Sequence, residues 1–150
     1  MYYTINRTNL RDRMDEEISI VANDAYSDSG MSLYDSIVLT EKDREMVARF
    51  IDDAINAFVT RTFDICKYYY TTETGGQTTE QLQFYIPDFD ETMENATKDE
   101  ITKFLVLFAC TSLFQSRRPS VVPEFTDRTQ AALNKAVTFL KSRKSPIRIW

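Results

Sequence analysis

Apolar positions fall into blocks that keep a helical spacing, and the period changes only once along the chain. Leu10, Met14, Ile18 and Val21 recur every three or four residues with charge between them, which predicts a helix over about Thr8 to Asn23. Asn23 to Ser36 is polar and punctuated by Asn23-Asp24 and Ser27-Asp28-Ser29-Gly30, so it reads as a loop. Thr40 is a good N-cap, and Glu41 and Asp43 put negative charge in the first turn, where the helix dipole favours it. Met46, Val47, Phe50, Ile51, Ala54, Ile55, Phe58 and Val59 then form a nearly unbroken stripe, with Arg44, Glu45, Arg49, Asp52, Asp53 and Asn56 on the other face. This helix is expected to end between Arg61 and Ile65.

The period changes after Ile65. Tyrosine and threonine, which suit a pleated surface, fill the stretch to Thr72. Gly75-Gly76 supplies a turn, and Gln81 to Ile86 alternates polar and apolar before Pro87 stops it. The pattern predicts a β-hairpin with strands near Lys67–Thr72 and Glu80–Ile86. A lone hairpin is marginal in water, so it must pack on the helices or on another subunit.

Pro87 to Asn95 reads as an acidic connector. Thr97 and Glu100 match a capping box, followed by a helix carrying Ile101, Phe104, Leu105, Phe108 and Cys110 to Leu113. It is apolar around much of its circumference, as the central helix of a bundle would be. Arg117-Arg118-Pro119 should stop it, because proline disfavours helical geometry in the residue before it. Val121-Val122-Pro123 is expected to be extended. A last helix runs from Pro123 or Glu124 to Ser142, with Ala132, Leu133, Ala136, Val137 and Leu140 as its stripe. The expected fold is mainly α: a single-domain bundle of about four helices with one inserted hairpin. An N-terminal helix and loop (1–39), a helical core (40–143) and a tail (144–150) make up the domain.

Composition agrees with this reading. The chain has 150 residues, ten Phe and eight Tyr, but only three Gly and four Pro, which favours helices over a many-turned sandwich. The net charge of −5 argues against a protein that coats nucleic acid, which needs a basic face. Bases nevertheless bunch in the last third (Arg117, Arg118, Arg128, Lys135, Lys141, Arg143, Lys144, Arg148), and acids load the first (Asp15, Glu16, Glu17, Asp24, Asp28). Such a dipolar chain can mate with its own copies or with a differently charged partner. Alternatively, these charges are simply solvated faces.

Histidine is absent, which removes the commonest metal ligand and the usual general base near neutral pH. Cys66 and Cys110 stand in apolar surroundings and read as buried small hydrophobes. Asp88, Asp90, Glu91 and Glu94 lack the glycine and terminal glutamate of a calcium loop. Asp52-Asp53 and the Asp12 to Glu17 carboxylates fall on polar helix faces. The chain is therefore expected not to be an enzyme, with no catalytic residue, no metal site and no cofactor. Met1 to Arg7 lacks the apolar run of a secretory leader, and the longest apolar stretch, near Phe104 to Cys110, is too short to span a bilayer. A cytoplasmic protein, or one assembled there, is expected.

What remains is a set of partner-binding candidates. Arg117 and Arg118 can grip phosphate or cap the end of their helix. Tyr68, Tyr69 and Tyr70 can stack nucleobases, but they stand among glutamates without a basic neighbourhood, which favours packing against a helix or a neighbouring subunit. Pro146, Ile147, Arg148, Ile149 and Trp150 form an apolar tail that should tuck back or dock elsewhere. The order of parts is similar to one family: an amphipathic helix with Phe50-Ile51-Asp52-Asp53-Ala54-Ile55, a short hairpin, an apolar helix (Ile101 to Phe114), an Arg-Arg-Pro break, a final helix with Ala132-Leu133-Asn134-Lys135-Ala136-Val137-Thr138-Phe139-Leu140, and a basic tail with Pro146-Ile147-Arg148. From Thr40 to Arg148 the chain resembles the head–tail connector (adaptor) proteins of tailed bacteriophages. The first forty residues are longer and more acidic than that family's pattern. The resemblance implies a virion protein at the head–tail junction, assembled in the host cytoplasm. Copies would form a homo-oligomeric ring, commonly a dodecamer, that meets the portal protein on one side and a tail or stopper protein on the other. DNA would pass through without sequence-specific binding, past an acidic lining. The other reading left open is a helical protein–protein interaction module of a bacterial or prophage regulator.

Overall fold

The computed structural model describes residues 1–72 and 75–143. Among them, four long helices surround one core and carry a small sheet: α1 (Arg7–Asn23), α3 (Arg44–Arg61), α4 (Glu94–Arg117) and α5 (Val122–Leu140). A single turn, α2 (Tyr34–Ile37), lies between α1 and α3. The mainly helical bundle with an inserted hairpin, as read from the sequence, is the observed architecture.

The apolar stripes explain which faces are buried. Leu10, Met14, Ile18 and Ala22 of α1, and Val47, Ile51, Ala54, Ile55 and Phe58 of α3, all turn inward. Central helix α4 buries residues on most of its circumference and packs against α5, α3 and α1. Its threonines are tolerated there because their hydroxyls donate to the carbonyls one turn back, as Thr97 does to Met93 (2.7 Å) and Thr111 to Leu107 (2.7 Å). A row of rings, Phe84–Phe58–Phe104–Phe108, with centroids 6.2, 5.6 and 5.7 Å apart, ties the sheet to α3 and α4.

Strands β2 (Cys66–Thr72) and β3 (Thr78–Phe84) form the expected hairpin, starting one and two residues earlier than the sequence suggests. Gly75 and Gly76 both take positive φ, which only glycine adopts freely, so the turn falls where the pair predicts it. A third strand, β1 (Tyr2–Thr4), went unread; it pairs with β3 and gives the order β1-β3-β2, antiparallel throughout. Tyr3 anchors it, buried and hydrogen-bonded to the Thr102 hydroxyl (2.7 Å).

Three local expectations are corrected. Thr97 and Glu100 do not start a helix: Asp90 caps a 3-10 turn at Glu91–Met93, the helix runs on from Glu94, and both residues lie inside it. Val121-Val122-Pro123 is not extended. A 3-10 turn over Pro119–Val121 leads straight into α5, and Pro123 sits in the first turn, where its missing N–H has no partner to lose. The stretch 23–36 is largely irregular as read, but α2 begins within it at Tyr34 and buries Ile37.

Candidate interaction surfaces

Three helices leave one large groove. Asn56, Ala57, Thr60 and Arg61 at the end of α3, Phe104, Phe108, Thr111, Ser112 and Gln115 of α4, and Thr126, Thr129, Gln130 and Leu133 of α5 line about 830 Å³ together with Phe63. It forms because α3 and α5 both pack on α4, whose apolar circumference exceeds what they cover. Phe63 stands 79% exposed at the groove, directly after α3. The Thr111 and Thr129 hydroxyls are committed to their own helices, to the Leu107 and Phe125 carbonyls. Among the described residues the lining is thus apolar and neutral-polar, with Arg61 its one charge.

The sheet offers a second surface. Period-two alternation puts Lys67, Tyr69 and Thr71 on the outer face beside Gln81, Gln83 and Tyr85. The Tyr69 and Tyr85 hydroxyls are hydrogen-bonded (2.9 Å), Tyr85 donates to Gln83 (2.8 Å), and the Lys67 ammonium lies 5.8 Å from the Tyr85 ring centroid. Tyr68 faces the helices instead. Its hydroxyl donates to Glu80 (2.7 Å), whose carboxylate also accepts two bonds from Arg7 at 2.7 and 2.9 Å. Arg7 reaches Asp52 as well. The Arg7 guanidinium holds the Glu80 carboxyl below the usual range, while burial first and the Glu80 carboxylate second push the Tyr68 hydroxyl up to about 12.

The structure therefore splits the tyrosine run. Tyr68 is locked in an internal network, Tyr69 belongs to the outer face, and Tyr70 is 59% exposed on the helix-facing side. Arg117 is equally committed: its guanidinium bonds Asp43 (2.6 Å) and the Val38 (3.0 Å) and Ile37 (3.3 Å) carbonyls, strapping the end of α4 to the chain before α3. That partner holds the Asp43 carboxyl below the usual range. Arg118 ends α4 half-buried and lines a separate hollow with Ile20, Asp24 and Phe125. Pro146, Ile147, Arg148, Ile149 and Trp150 lie outside the described residues.

The charge asymmetry is partly used within the chain. Glu17 on α1 takes Arg128 of α5 (3.1 Å), and Asp43 takes Arg117. Beside the first pair runs a charged cleft of about 350 Å³ that includes Arg13, Glu16, Lys103 and Lys135. Asp90 accepts from the Thr92 amide and hydroxyl, and Glu94 pairs with Lys98 (3.1 Å). No group of three or more His, Cys, Asp or Glu side chains is placed to hold a metal among the described residues. Both cysteines are buried; burial pushes the Cys66 thiol up to about 11 and the Cys110 thiol higher still. No helix among the described residues is long and apolar enough to cross a membrane.

Neither the groove nor the role of Tyr85 and Glu80 was read from the sequence. The signal for the groove was present in α4: a helix apolar nearly all round needs cover on every side, and α1, α3 and α5 leave the side that holds Phe108 partly open. Phe63, beyond the end of the α3 stripe, was the other sign. No protein-family model, no curated protein and no solved structure matches the chain.

Proposed function

We propose that this is a non-enzymatic assembly protein of the phage head–tail connector type, forming a ring between portal and tail through which DNA passes. The observation that carries the reading is that the chain exposes two unlike surfaces with no residue in common, the α3–α4–α5 groove and the tyrosine-rich outer face of the sheet. A ring is built from heterologous contacts, which need two different patches on each copy. The order of helices, hairpin and Arg-Arg-Pro break supports the same reading, and a net charge of −5 suits DNA that must slide rather than stick. Arg117 is spent on Asp43, so portal contacts would fall to other residues.

The test is assembly. Purified chain mixed with the portal encoded beside it should give rings by electron microscopy and a ring-sized mass. A chain that stays single and never binds a portal overturns the reading. Genomic position is the cheapest check, since the gene should lie between capsid or portal genes and tail genes. The groove also favours the alternative, a helical interaction module, because an amphipathic helix laid between α3 and α5 would cover Phe63 and Phe108. That reading expects one partner helix per copy and no ring.

A further inference from the structure

Among the described residues the hairpin leaves one strand edge unpaired, that of β2, and the hydrogen-bond pattern says which backbone groups it offers. Tyr85 N–H donates to the Ile65 carbonyl (2.8 Å), which fixes Lys67, Tyr69 and Thr71 as the β2 residues whose backbone groups point at β3. The pairing on the other side of β3 agrees: Phe84 N–H donates to Met1 (2.9 Å) and Ile5 N–H to Glu80 (2.9 Å), so even-numbered β3 residues face β1 and odd-numbered ones face β2. On β2, Tyr68 and Tyr70 therefore point their N–H and C=O groups away from the sheet. Cys66 N–H is taken by the Thr62 carbonyl (2.8 Å).

Open edges are normally blunted by proline, a bulge or several charges. This seven-residue strand has none of these, and Lys67 is its one charged side chain. Its pattern is also self-complementary. We propose that β2 is an interface for a second copy of this chain, pairing antiparallel with its own counterpart about a two-fold axis at Tyr69. In that register Tyr68 lies opposite Tyr70 of the partner subunit, and both are outward-pointing, so the two pairs exchange about four backbone hydrogen bonds. Lys67 lies opposite Thr71 of the partner subunit, so no like charges meet. Tyr69 lies opposite Tyr69 of the partner subunit on the outer face, where non-bonded neighbours come closest.

The proposal is independent of the connector reading, since a two-fold pair is isologous and a ring is not. In the full chain, Tyr69→Cys should cross-link to itself when treated with diamide, giving a two-chain band on a non-reducing gel. Thr71→Cys, which faces the same side but meets Lys67, should give only background, as should the parent with its two buried thiols. Tyr70→Pro removes an outward N–H without touching the β3 ladder, and should convert a two-chain mass to a one-chain mass with the circular dichroism unchanged. A folded Tyr69→Cys chain that stays uncross-linked, equal linking by Thr71→Cys, or a two-chain mass retained in Tyr70→Pro overturns the proposal. Rings on a portal without the Tyr69 cross-link would uphold the connector reading and sink this one. A cross-linked pair that never binds a portal would do the reverse.

Discussion

Arg117 and Arg118 are adjacent and chemically identical, yet the fold gives them unequal work. Arg117 holds Asp43 and two carbonyls with its side chain only 20% exposed. The charge-to-charge bond to Asp43 is the strongest of the three and such a bond contributes about 1.5–3 kcal/mol net, so Arg117→Ala should lower the urea unfolding free energy by at least about 2 kcal/mol. Arg118→Ala should change it by less than about 0.5 kcal/mol. The carboxylates bound by arginine make the acid limb of stability. Asp43 and Glu80 are held below their ordinary values by Arg117 and Arg7, so their contribution is complete above the unfolded carboxyl range near pH 4 and is lost as pH falls through the folded values. Asp43→Asn should flatten the decline in urea midpoint between about pH 5 and pH 2; an unchanged slope would remove this pair from the account. Burial sets the cysteines apart. With Cys66 pushed to about 11, thiol reagents at neutral pH should label native chain at the rate of its unfolding, not of free cysteine.

At the scale of elements, Phe58 is where β3, α3 and α4 meet through ring contacts. Phe58→Ala should cost about 3–5 kcal/mol, read as a lowered urea midpoint with loss of the sheet and helix signals in one transition. Long elements with a regular stripe were legible in the sequence, because Val47, Ile51, Ala54, Ile55 and Phe58 repeat over enough turns to define a face. Short elements were not. Three residues of β1 carry no alternation to detect, and their strand exists only because Tyr3 finds Leu82 as its neighbour and Thr102 beneath it. Start signals misled where two stood close together. Thr97-x-x-Glu100 has the form of a capping box, but Asp90 opens a turn earlier and the backbone N–H groups near Thr97 are already inside the helix. Pro123 does stand in the first turn of its helix, as the sequence predicts; what the two β-branched residues before it conceal is that Val121 closes a 3-10 turn and Val122 already opens α5. The candidate sites divide the same way. Exposed tyrosines were visible from composition and pattern, but a groove between three helices is a property of their packing, which no single stripe records.

For the whole molecule, the groove and the sheet face bear on assembly rather than stability. Phe63 is exposed and touches little of the core, so Phe63→Ser should leave the unfolding midpoint nearly unchanged while weakening ring formation or partner capture at least tenfold, measured by sedimentation. If assembly is unaffected, the groove has no part in it. The neutrality of that lining has a further consequence. A contact made by Phe63, Phe108 and the neutral polar side chains between them, with Arg61 the one cation among the described lining residues, has almost no Coulomb component for dissolved ions to screen. Ionic strength should leave such a complex intact, whereas chilling should loosen it, because hydrophobic association weakens as temperature falls. The same surface would thus make the assembly salt-tolerant and cold-labile.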